Sequence, residues 1–160
     1  MSPRLMMTAA LVAVLAMPGS ARAKDCTSVS GPFSAVPPAT CASPVGICTH
    51  GQLTGGLNAT YDFVADSQTV AFPIAELTGH STITLDKGGA VLLGQDTSSL
   101  SLVTGDFTTT VHVVGGTHQY KKGSGTIVAV GVFDFATGAT AGTYSGTICK
   151  KGASDAEGVD

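Results

Sequence analysis

Asp96 stands mid-run in Leu93-Gly94-Gln95-Asp96-Thr97, on the same strand face as Leu92 and Gly94. A carboxylate on an apolar face can serve as a buried acid or base, its pKa raised because burial disfavours the charge. The commoner placement is an outward-facing aspartate near a strand end, and that reading carries more weight here. Asp62 alternates with Asn58 and Thr60 opposite Tyr61 and Phe63, and Glu76 opens a strand. Either could line a barrel mouth, although a solvated surface carboxylate is the more frequent case. Tyr61, Tyr120 and Tyr144 are candidate ligand-binding residues, because a tyrosine on a cavity wall can stack on a ligand or donate a hydrogen bond. Buried structural tyrosines are nonetheless commoner. His80 and His112 fall on threonine-bearing faces and read as solvent-facing, and His118 follows Gly115-Gly116-Thr117 in a loop. Their spacing suggests neither a metal site nor a catalytic dyad. No C-x-x-C, serine nucleophile, phosphate-loop or zincin motif occurs, so no metal or other cofactor is expected.

The first residues have the pattern of an export signal. Arg4 gives a positive start, Leu5 to Met17 is an apolar run too short to span a membrane, and Ala21-Arg22-Ala23 is an A-x-A cleavage site. Residues 1–23 are therefore expected to be a signal peptide, with a secreted or periplasmic chain and no membrane attachment after cleavage. Both arginines, Arg4 and Arg22, lie in that leader, leaving six lysines against eleven acidic residues, a net charge of −5. Arginine is the usual bidentate partner of phosphate and carboxylate, and nucleic-acid binders need a basic footprint. This balance argues against nucleic acid and against an anion held by an arginine clamp.

Four cysteines remain, Cys26, Cys41, Cys48 and Cys149. In an oxidising compartment an even number reads as two disulfides. The first and last strands of a closed antiparallel barrel are neighbours. Cys48 begins the first strand that the pattern shows and Cys149 ends the last one. That geometry predicts Cys48–Cys149, leaving Cys26–Cys41 to tie an N-terminal loop.

Residues 24–47, rich in Ser, Pro and Ala, read as an irregular arm. Strand patterns begin at Cys48 and continue through Gln52–Val64 (Gly55-Gly56 as a bulge or bend), Glu76–Leu85, Ala90–Thr97, a short Ser98–Leu102, Asp106–Val114, Gly123–Phe135 and Thr140–Cys149. Leu77, Ser81, Ile83 and Leu85 share one face, as do Phe107, Val111 and Val113. No helical period of apolar residues follows the leader. Six to eight strands joined by short glycine-containing turns predict an all-β domain, a single closed antiparallel barrel over residues 48–149, with a flexible tail at 150–160. Closure removes the edges that such Thr- and Val-rich strands would expose.

The segments Cys48-Thr49-His50-Gly51-Gln52-Leu53-Thr54-Gly55-Gly56-Leu57 and Gly94-Gln95-Asp96-Thr97 resemble secreted bacterial members of the allene oxide cyclase barrel group. So does the tail Gly115–Cys149, with Gly-Gly-Thr followed closely by Tyr120, then Phe133-Asp134-Phe135 and Tyr144-Ser145-Gly146. The related dirigent proteins share a similar barrel. The resemblance implies a lumen that binds a small apolar molecule and steers its cyclisation or isomerisation without a cofactor. It carries over no catalytic carboxylate, because none aligns on a motif of this chain. The alternative is a packed barrel acting as an exported structural or surface-interaction module, which the abundant Thr and Gly and the scarcity of charge fit equally well. Cavity volume separates the two: a lumen with no pocket near about 300 Å³, where ligand sites begin, would sink the binding reading. The sequence gives neither an oligomeric state nor a specific ligand.

Overall fold

The computed structural model describes residues 25–150; the expected leader and the tail from residue 151 lie outside the described residues. Eight strands follow one another: β1 Cys26–Val36, β2 Cys48–Leu53, β3 Ala59–Ala71, β4 Ile74–Leu85, β5 Val91–Ser101, β6 Asp106–Gly116, β7 Ser124–Phe133 and β8 Thr140–Cys149. Each pairs antiparallel with the next, and β8 returns to β1, closing the barrel. A 3-10 turn, His118–Tyr120, interrupts the β6–β7 connection.

The expectation of an irregular arm at 24–47 is corrected. Cys26–Val36 is a full barrel strand, in register with β8 from Cys26↔Cys149 to Ala35↔Thr140. Its inward residues include Val29, Phe33 and Ala35, all buried, while its outward residues are Cys26, three serines, Pro32 and Val36. Pro32 is tolerated because that edge borders a loop, its carbonyl accepting the Thr54 N–H at 3.1 Å, so no ladder donor is lost. The irregular stretch between β1 and β2 is 37–47.

The disulfide pairing changes with it. The bonds are Cys26–Cys149 and Cys41–Cys48, not Cys48–Cys149 and Cys26–Cys41. The premise that a bond joins the start of the first strand to the end of the last holds, but the first strand is β1. Cys41–Cys48 instead closes the β1–β2 loop. Gly55-Gly56 lies in the turn between β2 and β3 rather than inside one strand, and β5 runs unbroken through Ser98. The register slips between Ala65 and Ser67, beyond which β3 is wholly exposed.

The core is concentrated towards one end, where β1 begins and β8 finishes. Leu57, Ala90, Leu92, Tyr120 and Ile148 pack there, Leu92 with no exposed surface. Tyr144 ties this end together. Its hydroxyl accepts the Leu57 N–H at 2.7 Å and faces the carbonyls of Thr54 at 2.9 Å and Leu57 at 3.2 Å. Among the described residues no helix is long and apolar enough to cross a membrane.

Candidate functional site

Inward positions in the other half of the barrel leave a void of about 170 Å³. Deep in it lie Leu53, Ser81, Ile83, Asp96, Val111 and Ile127. Nearer the opposite end, where β2, β6 and β8 begin, the partly exposed Ile47, Thr49, Phe63, Leu100, Phe107 and Phe133 form the mouth. The lumen is thus a pocket with a packed floor and one opening.

Asp96 points into this void, not outward, and is 3 % exposed. Ser81 Oγ on β4 donates to its Oδ1 at 3.0 Å, the only hydrogen bond to its carboxylate among the described residues. A carboxylate can accept about four, so most of its acceptor capacity is open to the void it lines. Burial raises its pKa to about 6. The Ser81 bond and the potentials of His80 and His112 lower it, and the Asp66 carboxylate raises it, all by less than burial does. Gly94 makes this arrangement fit: a Cβ there would sit 2.6 Å from Ser81 Oγ and 2.5 Å from Val111 Cγ1. One step towards the mouth, Ser98 and Thr109 satisfy each other at 2.6 Å.

Tyr61 is the tyrosine whose hydroxyl serves the lumen. It lies within hydrogen-bonding reach of Thr140 and Thr49, and burial pushes its pKa up against those two bonds. Its ring meets Phe33 edge-on at a centroid distance of 6.3 Å, and Phe33 meets Phe107 at 6.1 Å. Tyr144 lends the pocket its ring while its hydroxyl is committed to the loop, and Tyr120 is core beneath the floor.

The other carboxylate candidates lie outside the barrel. Asp62 pairs with His50 Nδ1 at 2.7 Å, and Glu76 accepts from Ser99 Oγ at 2.8 Å, both on the exposed surface. His80 is exposed, 3.1 Å from Asp66, and His112 faces Thr126 at 3.5 Å. His118 adopts a positive φ of 53° beside Thr117. No group of three potential metal ligands occurs among the described residues. A larger surface hollow of about 590 Å³ spans Val36, His50, Gln52, Val132 and Asp134, but it is shallow and open and holds no buried titratable group.

Sequence reasoning misses Phe33, because β1 does not announce itself as a strand. Ser81 is visible as the one hydroxyl on the apolar face of β4, but only the strand register shows that it reaches Asp96. No family model matches the chain, and no curated protein and no solved structure matches it at a significant level. A barrel alone does not specify an activity.

Proposed function

We propose that this is an exported barrel whose lumen binds one small, largely apolar molecule, with Asp96 as the group that recognises it and can exchange a proton with it. The observation that carries this reading is a single buried carboxyl, with acceptor capacity unused, facing an otherwise apolar void that has a mouth. Such a group has its pKa near the working range of an acid–base catalyst. The motif resemblance to allene oxide cyclase-like barrels agrees with cofactor-independent isomerisation or cyclisation. Two disulfides are consistent with an extracellular or periplasmic protein, as the leader pattern requires. The lack of arginine outside the leader argues against nucleic acid as partner.

The volume restricts the ligand. About 170 Å³ is little more than half of the ~300 Å³ at which ordinary ligand sites begin. An apolar cavity of about 150 Å³ holds benzene, so the enclosed part of a ligand is about one ring in size. The same shortfall favours the alternative of a structural or surface-interaction module. Native mass spectrometry of protein purified from its own source, together with NMR titration by one-ring probes, separates them. A co-bound mass, or probe-induced shifts confined to lumen residues such as Val111 and Ile127, is the expected result. Shifts scattered over the surface, with no co-bound mass, would leave the structural module as the function.

A further inference from the structure

We propose that the lumen selects a small organic cation, a protonated amine about one ring in size, with Asp96 as its counter-ion. This rests on the lumen being a binding site, and names what it binds.

Three independent features converge on positive charge. Asp96 is the only carboxyl among the lining residues, which include no Lys, Arg or His. A buried carboxylate with one hydrogen bond lacks a partner, and an ammonium supplies both the charge and the missing donors. The walls around it carry the rings of Phe33, Tyr61, Phe63, Phe107 and Phe133. Aromatic faces attract desolvated cations more strongly than they attract neutral isosteres. An anion would meet a like charge there, with no cation to offset it.

The third feature is the distribution of charge along the barrel axis. Among the described residues every lysine stands at the floor end: Lys87 in the β4–β5 turn, Lys121 and Lys122 between β6 and β7, and Lys150 after β8. Glu76 near the start of β4, Asp106 at the start of β6 and Asp134 after β7 stand at the mouth end, where no described lysine does. Asp25 before β1 and Asp86 in the β4–β5 turn offset part of the floor's charge, leaving the described ends at −3 for the mouth and +2 for the floor, a field that still draws cations to the opening.

The test uses the mature, disulfide-intact chain and three isosteric probes, benzylammonium, benzyl alcohol and benzoate, titrated by NMR at pH 7.5. The expected order is benzylammonium at least tenfold tighter than benzyl alcohol, and no lumen shifts with benzoate. Asp96→Asn should bring benzylammonium down to the level of the alcohol, so that the two probes bind alike. Lowering the pH protonates Asp96 and removes the counter-ion. With a pKa of about 6, the ionised fraction falls about thirty-fold between pH 7.5 and 4.5, so the amine affinity falls by up to that factor, towards the level of the alcohol. The other ionisable groups that act on Asp96 are His80 on β4 and His112 on β6, both on the outer wall, and the Asp66 carboxylate on β3. Asp96→Asn retains all three and so isolates Asp96 itself. Equal binding of alcohol and amine, or an amine affinity unchanged in Asp96→Asn, would overturn the cation assignment and leave the lumen as a neutral-ligand site. Failure of all three probes to shift any lumen resonance would overturn the binding site as well.

Discussion

Replacing Asp96 by asparagine should change how stability depends on pH, and the size of the change follows from the burial of one carboxyl. Its pKa rises from the ordinary 3.8 to about 6 on folding. That is roughly two units at 1.36 kcal/mol each, or about 3 kcal/mol. Below pH 3.8 the group is protonated in both the folded and unfolded chain and contributes nothing. Between 3.8 and 6 the folded state holds the proton more firmly, so stability falls as the pH rises. Above 6 the full penalty applies. The substituted amide carries no such slope and still accepts the Ser81 hydroxyl. The stability of Asp96→Asn minus that of the natural chain should therefore rise by about 3 kcal/mol between pH 3.5 and 7.5, equivalent to about 10 °C in Tm for a domain of this size. An unpaired amide NH2 in the void can offset the whole difference curve but cannot alter its slope. Urea unfolding of both proteins with disulfides intact, at half-unit pH steps, gives the difference directly, since the exposed acids cancel. A flat difference curve would mean that Asp96 is not a buried titrating group, and its role as the recognising carboxyl of the lumen would fall with it.

Other substitutions test the frame that holds the site. Removing Cys26–Cys149, whose partners lie 123 residues apart, should cost about 5 kcal/mol by the chain-entropy relation, against about 2.5 for Cys41–Cys48, 7 apart. Denaturation of the two double-alanine variants gives the ranking, and peptide mapping of the unreduced protein checks the pairing. Tyr144→Phe should cost about 2–3 kcal/mol in the same assay, because the buried Leu57 N–H loses its acceptor. Gly94→Ala should cost about 1–3 kcal/mol through overpacking against Val111 and Ser81, and its crowding of Asp96 Oδ1 should weaken any lumen probe. Asp62→Asn, which breaks only an exposed pair with His50, should move stability by under about 1 kcal/mol and leave probe binding unchanged.

What is legible in the chain depends on whether a residue's face is decided by its own strand or by a neighbour. Leu77, Ser81, Ile83 and Leu85 on β4 announce an inward face by period alone, as do Phe107, Val111 and Val113 on β6. Asp96 groups correctly with Leu92 and Gly94, yet its period leaves the direction of that face open, because Gly94 and Ser98 add no apolar weight to it. β1 escapes notice because three of its five inward-parity positions are small or polar (Thr27, Gly31, Ala35) and serines and Pro32 dominate the other face. That omission propagates into the disulfides through a sound geometric premise. Ser67 to Ala71 cannot show alternation, since both faces of that stretch meet solvent. The acceptor-rich, donor-poor setting of Asp96 is a property of register between β4 and β5, which single-strand periodicity does not contain.

Two features of the lumen oppose stability, and the barrel fold requires neither. A void of about 170 Å³ forgoes the packing that a filled interior would supply, and Asp96 adds its ionisation penalty at neutral pH. Both lie in the mouth half. The floor half is built the other way, with Leu92 sealed off, Tyr120 buried, the Tyr144 hydroxyl holding the β2–β3 loop and Cys26–Cys149 closing the seam. A barrel kept only for its outer surface would gain by carrying that packing through to the mouth. A larger apolar side chain at Ser98, and any apolar residue at 96, would each serve. The segregation of cost and stability along one axis is what a binding lumen requires: rigid walls below, and above them an unpaired charge whose desolvation a ligand can relieve.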